Sequence, residues 1–341
     1  MSPTTLESPQ ALPATASTAA CLYCRSTDLA PFHTGVSDRL GFVPGHRTFL
    51  RCRSCGSAVL DPLPHTDDLP GFYPPVYSFT LELGQSRFKR WLSQAEYRLF
   101  FRPQYRAQVR RVMRACGWKR GDGKKLLDVG CGRGLRLLEF RRLGFDVHGL
   151  DVQADVVRYL QEELNIPAEC ADVSAMNRFH APNSFDLITT FFLIEHIPDV
   201  REALAAMFEL LKPGGWVAAA VPFVDCVQAG WFGKNWINVR EAPRHLSLPT
   251  QAGMTEACRA AGFENVAIVP DSALNCAGQI ASSLLPGATL THVYGQSRIK
   301  PLLARAVGAG VMFASVPWCL FENRVIGRIS LGIAMAQKPV T

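Results

Sequence analysis

The sequence predicts an α/β protein in which an open, mostly parallel sheet carries helices on both faces, with a cysteine-bearing module ahead of it and a helical insertion before its last strand. Three observations predict this. An apolar stretch, Leu126-Leu-Asp-Val129, runs directly into Gly130-Cys-Gly-Arg-Gly134, which reads as a strand turning sharply into a helix. Apolar runs and helical patterns then alternate toward the C terminus. Two C-x-x-C pairs, Cys21/Cys24 and Cys52/Cys55, stand upstream of all of this.

The 341 residues provide for one large domain plus a small one, and 48% hydrophobic content excludes a chain that is disordered throughout. Residues 1–20, with Pro3, Pro9 and Pro13 among Ser, Thr and Ala, read as a mobile tail. They lack a basic start and an apolar core, so no signal peptide is visible and a cytoplasmic setting is expected. The seven cysteines outside the two pairs are scattered among apolar neighbours, as reduced buried thiols are.

Residues 21–64 form the cysteine module. Each C-x-x-C can place two thiolates on one metal from a single tight turn, so Cys21, Cys24, Cys52 and Cys55 predict a closed, structural Zn²⁺ site of the zinc-ribbon type. Gly56 suits the second turn. The 27 residues between Cys24 and Cys52 exceed the commonest ribbon spacing. A redox dithiol is the rival, although it would need only one pair.

Residues 65–124 are expected to be a linker, with Phe72, Tyr73 and Tyr77, followed by amphipathic basic helices divided near Pro103. The net charge of +7 is concentrated there, and Arg98, Arg102, Arg106, Arg110 and Arg114 recur every fourth residue. The row is either a solvated helix face or a grip for an anionic partner such as a phosphate-bearing substrate, lipid headgroups or RNA.

From Lys125 the pattern becomes specific. Leu135, Leu138, Phe140 and Leu143 continue the glycine turn as a helix, Gly144 ends it, and a second strand closes in Asp151, 23 residues after Asp128. A third strand over 167–171 leads into Asp172, and a fourth, Phe185–Phe191, leads into Ile194-Glu-His-Ile-Pro-Asp199. An acidic residue followed by x-G-x-G-x-G resembles the cofactor motif of class I S-adenosylmethionine-dependent methyltransferases, and the resemblance runs from Lys125 to about Asp271. It implies a Rossmann-like methyltransferase sheet with S-adenosyl-L-methionine as cofactor. It assigns Gly130, Cys131, Gly132 and Gly134 to the cofactor's amino-acid part, with Asp128 ordering that loop. Asp151 with Val152 would serve the ribose, Asp172 with Val173 the adenine, and Phe191 the cofactor floor. A zinc ribbon, a tyrosine-bearing linker and this domain together are similar to bacterial methyltransferases of sugar, polysaccharide and natural-product biosynthesis.

The acceptor side follows from what the fourth strand lacks. Phe191-Phe-Leu-Ile-Glu-His196 stands where methyltransferases of amide or exocyclic amine nitrogens often carry an Asn/Asp-Pro-Pro-Tyr motif, which favours an oxygen or carbon acceptor on a small molecule, sugar or carrier-linked glycan. A hydroxyl acceptor benefits from a base, and the two candidates are His196 and His245, the latter on a loop expected to overhang the acceptor. Arg244 beside it would hold an anionic group or face solvent. An RNA methyltransferase using the arginine helices, and a non-catalytic cofactor-binding protein, are the alternatives.

The domain, residues 125–341, departs from the compact form of its fold between strands expected at 264–269 and 328–336. The insertion, about 270–327, includes an uncharged stretch, Ala306 to Phe321, too short to span a bilayer. It reads as a cap, an oligomer surface or a peripheral membrane contact flanked by Arg305, Arg324 and Arg328.

Overall fold

The computed structural model describes residues 18–73, 102–286 and 301–340. Residues 1–17 of the expected tail, Tyr77, and the upstream basic helix with Arg98 lie outside the described residues. Three antiparallel strands open the chain: β1 (Leu29–Ser37), β2 (His46–Cys52) and β3 (Ala58–Asp61). Next come α1 (Arg102–Ala115), β4 (Lys125–Val129), α2 (Leu135–Arg142), β5 (Asp146–Asp151), α3 (Ala154–Glu162), β6 (Ala168–Cys170) and β7 (Phe185–Phe191). They are followed by α4 (Val200–Leu210), β8 (Leu211–Pro222), α5 (Val227–Phe232), β9 (Ser247–Leu248) and α6 (Gln251–Ala260). The chain closes with β10 (Glu264–Pro270), α7 (Ala273–Leu284), α8 (Pro301–Phe321) and β11 (Leu331–Gln337).

Seven strands make the main sheet, in the order β10-β11-β8-β7-β4-β5-β6. The pairs among β4 to β8 are parallel, and β11 lies antiparallel between β8 and β10. Alternation sorts neighbouring residues onto opposite faces. Leu126, Leu187 and Ala218 enter one core with Val109, Val112 and Phe140, while Leu127, Ile188 and Ala219 enter the other with Leu204 and Met207. The order reverses between β4 and β7, and in open sheets of this kind ligands bind beyond the carboxyl ends of the strands at such a switch point.

The N-terminal module is stitched into this domain. β9 adds to the edge of β3, pairing Ala58 with Leu248 and Val59 with Ser247, so the small sheet runs β1-β2-β3-β9. Leu22 and Tyr23 join the core under the main sheet, and Phe49 and Leu60 pack with Trp236 and Leu246. The tail is anchored earlier than its composition suggests: Thr18 donates its amide to Asp61 and its hydroxyl to the Leu60 carbonyl.

One surface expectation changes in part. Arg102 and Arg106 face the buried carboxylate of Glu139 from α2, as does Arg142, while Arg110 and Arg114 of the same row are exposed. Pro103 begins a helix, in the first turn, where its missing N–H costs nothing. In the insertion α7 packs on α8, with Cys276, Ile280 and Cys319 facing Leu331 of β11. No helix among the described residues is long and apolar enough to cross a membrane.

Candidate active site and cysteine cluster

The crevice is built by one loop and three strand tips. Gly130 and Cys131 donate their amides to the Leu150 carbonyl, tying the turn after β4 to β5. Gly130 and Gly132 both have positive φ, 70° and 49°, which an L side chain resists. Their surroundings differ. A Cβ on Gly130 would stand 2.9 Å from Leu193, whereas one on Gly132 would meet no atom within 4 Å. The space over Gly132 is therefore open, as a seat for a ligand must be.

Asp151 ends β5 against this loop. One carboxylate oxygen accepts the Gly132 amide at 2.9 Å and the other accepts that of Gln153 at 3.0 Å, which leaves each a further lone pair. Burial raises its pKa while those bonds lower it. Val152 beside it is 62% exposed, an apolar side chain turned to solvent at the crevice rim. Asp172 is exposed and caps the following turn by accepting from the Ser174 amide, with Val173 half-buried next to it. Cys131 is buried against Gly149, so only its backbone is available to a ligand.

Asp128 is buried at the end of β4. Burial pushes its carboxyl up to about 6, opposed by the Thr189 hydroxyl donating at 2.6 Å and by the charge of Arg136. Arg136 carried no sequence signal. Its guanidinium lies 4.3 Å from the Phe191 ring centroid, 4.8 Å from Tyr105 and 5.7 Å from Phe192. Its Nε donates to Gln108, which donates in turn to Asp271, also held by Asn275. Phe192 has φ of 59°, a strained value for a bulky residue at a strand tip.

Beyond β7 the chain brings together Glu195, His196 and His245. The histidine rings lie 4.7 Å apart, edge to face. His245 does not overhang a cleft: it is buried, its Nδ1–H donates to the Asn238 carbonyl at 2.8 Å, and desolvation holds its pKa well below the usual histidine range. His196 is half-buried, and desolvation brings it down to about 4. The linker reaches this cluster, since the Tyr73 hydroxyl lies 2.9 Å from His196 Nδ1. Arg244 neither faces solvent nor meets a free anion. It is fully buried, pairing with Asp38 of the module and with Glu241 at 3.0 Å.

The four cysteines converge. Cys21 and Cys55 sulfurs are 3.6 Å apart, Cys24 and Cys52 are 3.5 Å apart, and all four lie within 4.8 Å of one another. These separations are too long for S–S bonds and suit sulfurs around one tetrahedral ion, about 3.8 Å apart for metal–sulfur bonds of ~2.3 Å. Both turns have the same form: Arg25 N–H donates to Cys21 O and Gly56 N–H to Cys52 O, with φ of 63° and 79°. Burial pushes the Cys24 thiol up to about 11, while the hydrogen bond from Cys21 helps bring Cys55 down to about 4.

A family model described as a methyltransferase domain matches residues 96–268. A ubiquinone biosynthesis O-methyltransferase of Albidiferax ferrireducens is 36% identical over 101 residues, 28% of this chain and 40% of that protein. One from Nitrosococcus oceani is 41% identical over 100 residues, 28% of this chain and 42% of its own length. The chain thus spans about two fifths of the length of these relatives. Among solved structures, a SAM dependent methyltransferase from Archaeoglobus fulgidus aligns with a TM-score of 0.46 at 17% identity, covering 73% of this chain and 99% of that one.

Proposed function

The chain belongs to the methyltransferase domain family, and we propose that it transfers the methyl group of S-adenosylmethionine to an oxygen of a small-molecule acceptor. The observation that carries this reading is the crevice itself, where Gly132 is fixed to Asp151 by its amide and keeps the space above it open. When bound, the cofactor supplies a methyl group already activated on a positively charged sulfur. The residues present fit it. Backbone of Gly130, Cys131, Gly132 and Gly134 would hold the amino-acid end, and the spare lone pairs of Asp151 suit ribose hydroxyls. Val152, Asp172 and Val173 would border the adenine. The aromatic faces of Phe191, Phe192 and Tyr105 already hold one cation, and such faces favour a sulfonium for the same reason.

The protein's task is then to align the acceptor and exclude water. An oxygen acceptor is supported by the likeness to ubiquinone biosynthesis O-methyltransferases. We assign His196 and His245 to the acceptor side, because His196 follows the tip of β7, His245 packs against it from the loop before β9, and both present neutral imidazoles that ease loss of a hydroxyl proton. A small-molecule acceptor is favoured over RNA by the O-methyltransferase relatives, and Arg102 of the basic row is turned onto Glu139.

Two features set the context. Cys21, Cys24, Cys52 and Cys55 would hold a structural zinc that fixes the module, and through β9 the loop bearing His245. Trp231, Phe313, Leu320, Phe321, Val325 and Ile326 are exposed around the end of α8, beside Arg324 and Arg328. Apolar side chains with flanking cations suit an anionic membrane surface, where a lipid- or carrier-linked acceptor would be met. Calorimetric titration with S-adenosylmethionine tests the core of the reading: one site per chain is expected, and no heat of binding at millimolar cofactor would overturn it.

A further inference from the structure

We propose that Glu195, His196 and His245 form a second metal site, binding one divalent first-row transition ion through two imidazole nitrogens and one carboxylate oxygen. One donor atom from each lies within 4.8 Å of the other two, and donors on one ion at ~2.1 Å stand about 3.4 Å apart, so the three must close by up to about 1 Å on binding, within reach of side-chain rotation. The site is distinct from the four-cysteine cluster. It refines the assignment of the two histidines made above and leaves the cofactor crevice as described.

The hydrogen bonds prepare the histidines as ligands. His245 Nδ1 lies 2.8 Å from the Asn238 carbonyl, and His196 Nδ1 lies 2.9 Å from the Arg244 carbonyl. A carbonyl oxygen can only accept, so Nδ1 carries the proton in each ring, shared on His196 with the Tyr73 oxygen as second acceptor, and the lone pair is left on Nε2. An imidazole whose Nδ1–H is held by a backbone carbonyl is oriented and made more basic, as metal-binding histidines are. The Tyr73 oxygen, 2.9 Å from the same His196 nitrogen, holds the ring from the linker side.

Glu195 provides the independent observation. Its side chain is 1% exposed and its Oε2 has no hydrogen-bond partner. A buried carboxyl oxygen left alone is costly, and the nearby charges are already matched: Arg244 pairs with Asp38 and Glu241, and Arg39 with Glu241. A cation between Glu195 and the two imidazoles would satisfy it. The backbone holds the donors in register, because the Leu246 amide donates to the Glu195 carbonyl at 2.7 Å and so joins the two segments that carry them.

Three protein ligands leave a coordination position, which distinguishes this cluster from the closed cysteine site. A mixed nitrogen and oxygen set suits zinc, iron, cobalt or nickel better than magnesium or calcium. An acceptor hydroxyl at the open position would lose its proton more readily than in water, and the histidines would then act as ligands rather than as free bases.

The test is metal stoichiometry on the full chain, with zinc and cobalt as probes. Zinc added in slight excess and then gel-filtered should leave two equivalents in the wild type. Glu195→Gln and His245→Gln should each leave one, with S-adenosylmethionine affinity little changed. Cobalt should show the intense sulfur charge-transfer bands of the cysteine site plus weak visible bands lost in both variants. One equivalent in the wild type would overturn the proposal, as would two retained in both variants. If a variant fails to fold, the wild-type stoichiometry and the cobalt bands decide alone.

Discussion

Replacing Gly132 separates a ligand seat from a structural turn. At φ of 49° a side chain of either Ala or Val incurs the left-handed penalty, about 1–2 kcal/mol, but no protein atom stands in its way. Gly132→Ala should therefore lower the melting temperature by roughly 2–8 °C and leave the protein folded. In the bound state the added atoms would compete with the cofactor for the same space. For Gly132→Val that overlap should cost at least ~3 kcal/mol, about 100-fold in affinity, with Ala intermediate. Gly130→Ala should behave differently, because its Cβ would press on Leu193 even without ligand, so stability falls further. Calorimetry with S-adenosylmethionine beside thermal melts reads both quantities. Unchanged affinity in Gly132→Val would refute the argument that the open space is the cofactor seat.

Asp151→Ala should weaken cofactor binding by about 1–3 kcal/mol through loss of charge-assisted bonds, and an unchanged titration would place the ribose elsewhere. Because burial raises Asp128 to about 6, the native state retains a proton that the unfolded chain releases near pH 4. Stability should therefore fall by roughly 3 kcal/mol as pH rises from 4 to 6, and Asp128→Asn should remove that component from a denaturant series run across this range. Cys52→Ser should abolish zinc at the cysteine site and loosen the module while cofactor affinity stays within a few-fold; metal analysis finding full zinc in the variant would contradict the ligand set. Phe313→Ser with Phe321→Ser should reduce sedimentation with anionic vesicles, and equal sedimentation would exclude the α8 surface as the membrane contact.

What was legible in the sequence was local. Leu126 to Gly134 shows strand, turn and helix within one short window, and each C-x-x-C states its own turn. Gly144, read as a helix stop, has φ of 93° just past α2. What escaped depends on residues far apart in the chain. Asp38 meets Arg244 across 206 positions, so nothing around Arg244 distinguishes a buried ion pair from an exposed cation. β9 is two residues long and has meaning only beside β3, which is why the module read as separate. Glu195 has no local signal, because its meaning depends on His245, 50 positions on, and on an oxygen that only the fold leaves without a partner. Of the arginine row, the pairing of Arg102 and Arg106 escaped because Glu139 lies on a later helix, while Arg110 and Arg114 are exposed as a solvated face would be.

The central claim is that this crevice delivers a methyl group to a small-molecule oxygen. Incubating the protein with S-adenosylmethionine labelled in the methyl group and a fractionated cell extract tests it most directly. The account predicts label in a small-molecule fraction, recovered as an O-methyl product, with S-adenosylhomocysteine formed in equal amount and both absent with Gly132→Val. Label entering only RNA, or a cofactor that binds and is never consumed with any fraction, would contradict it.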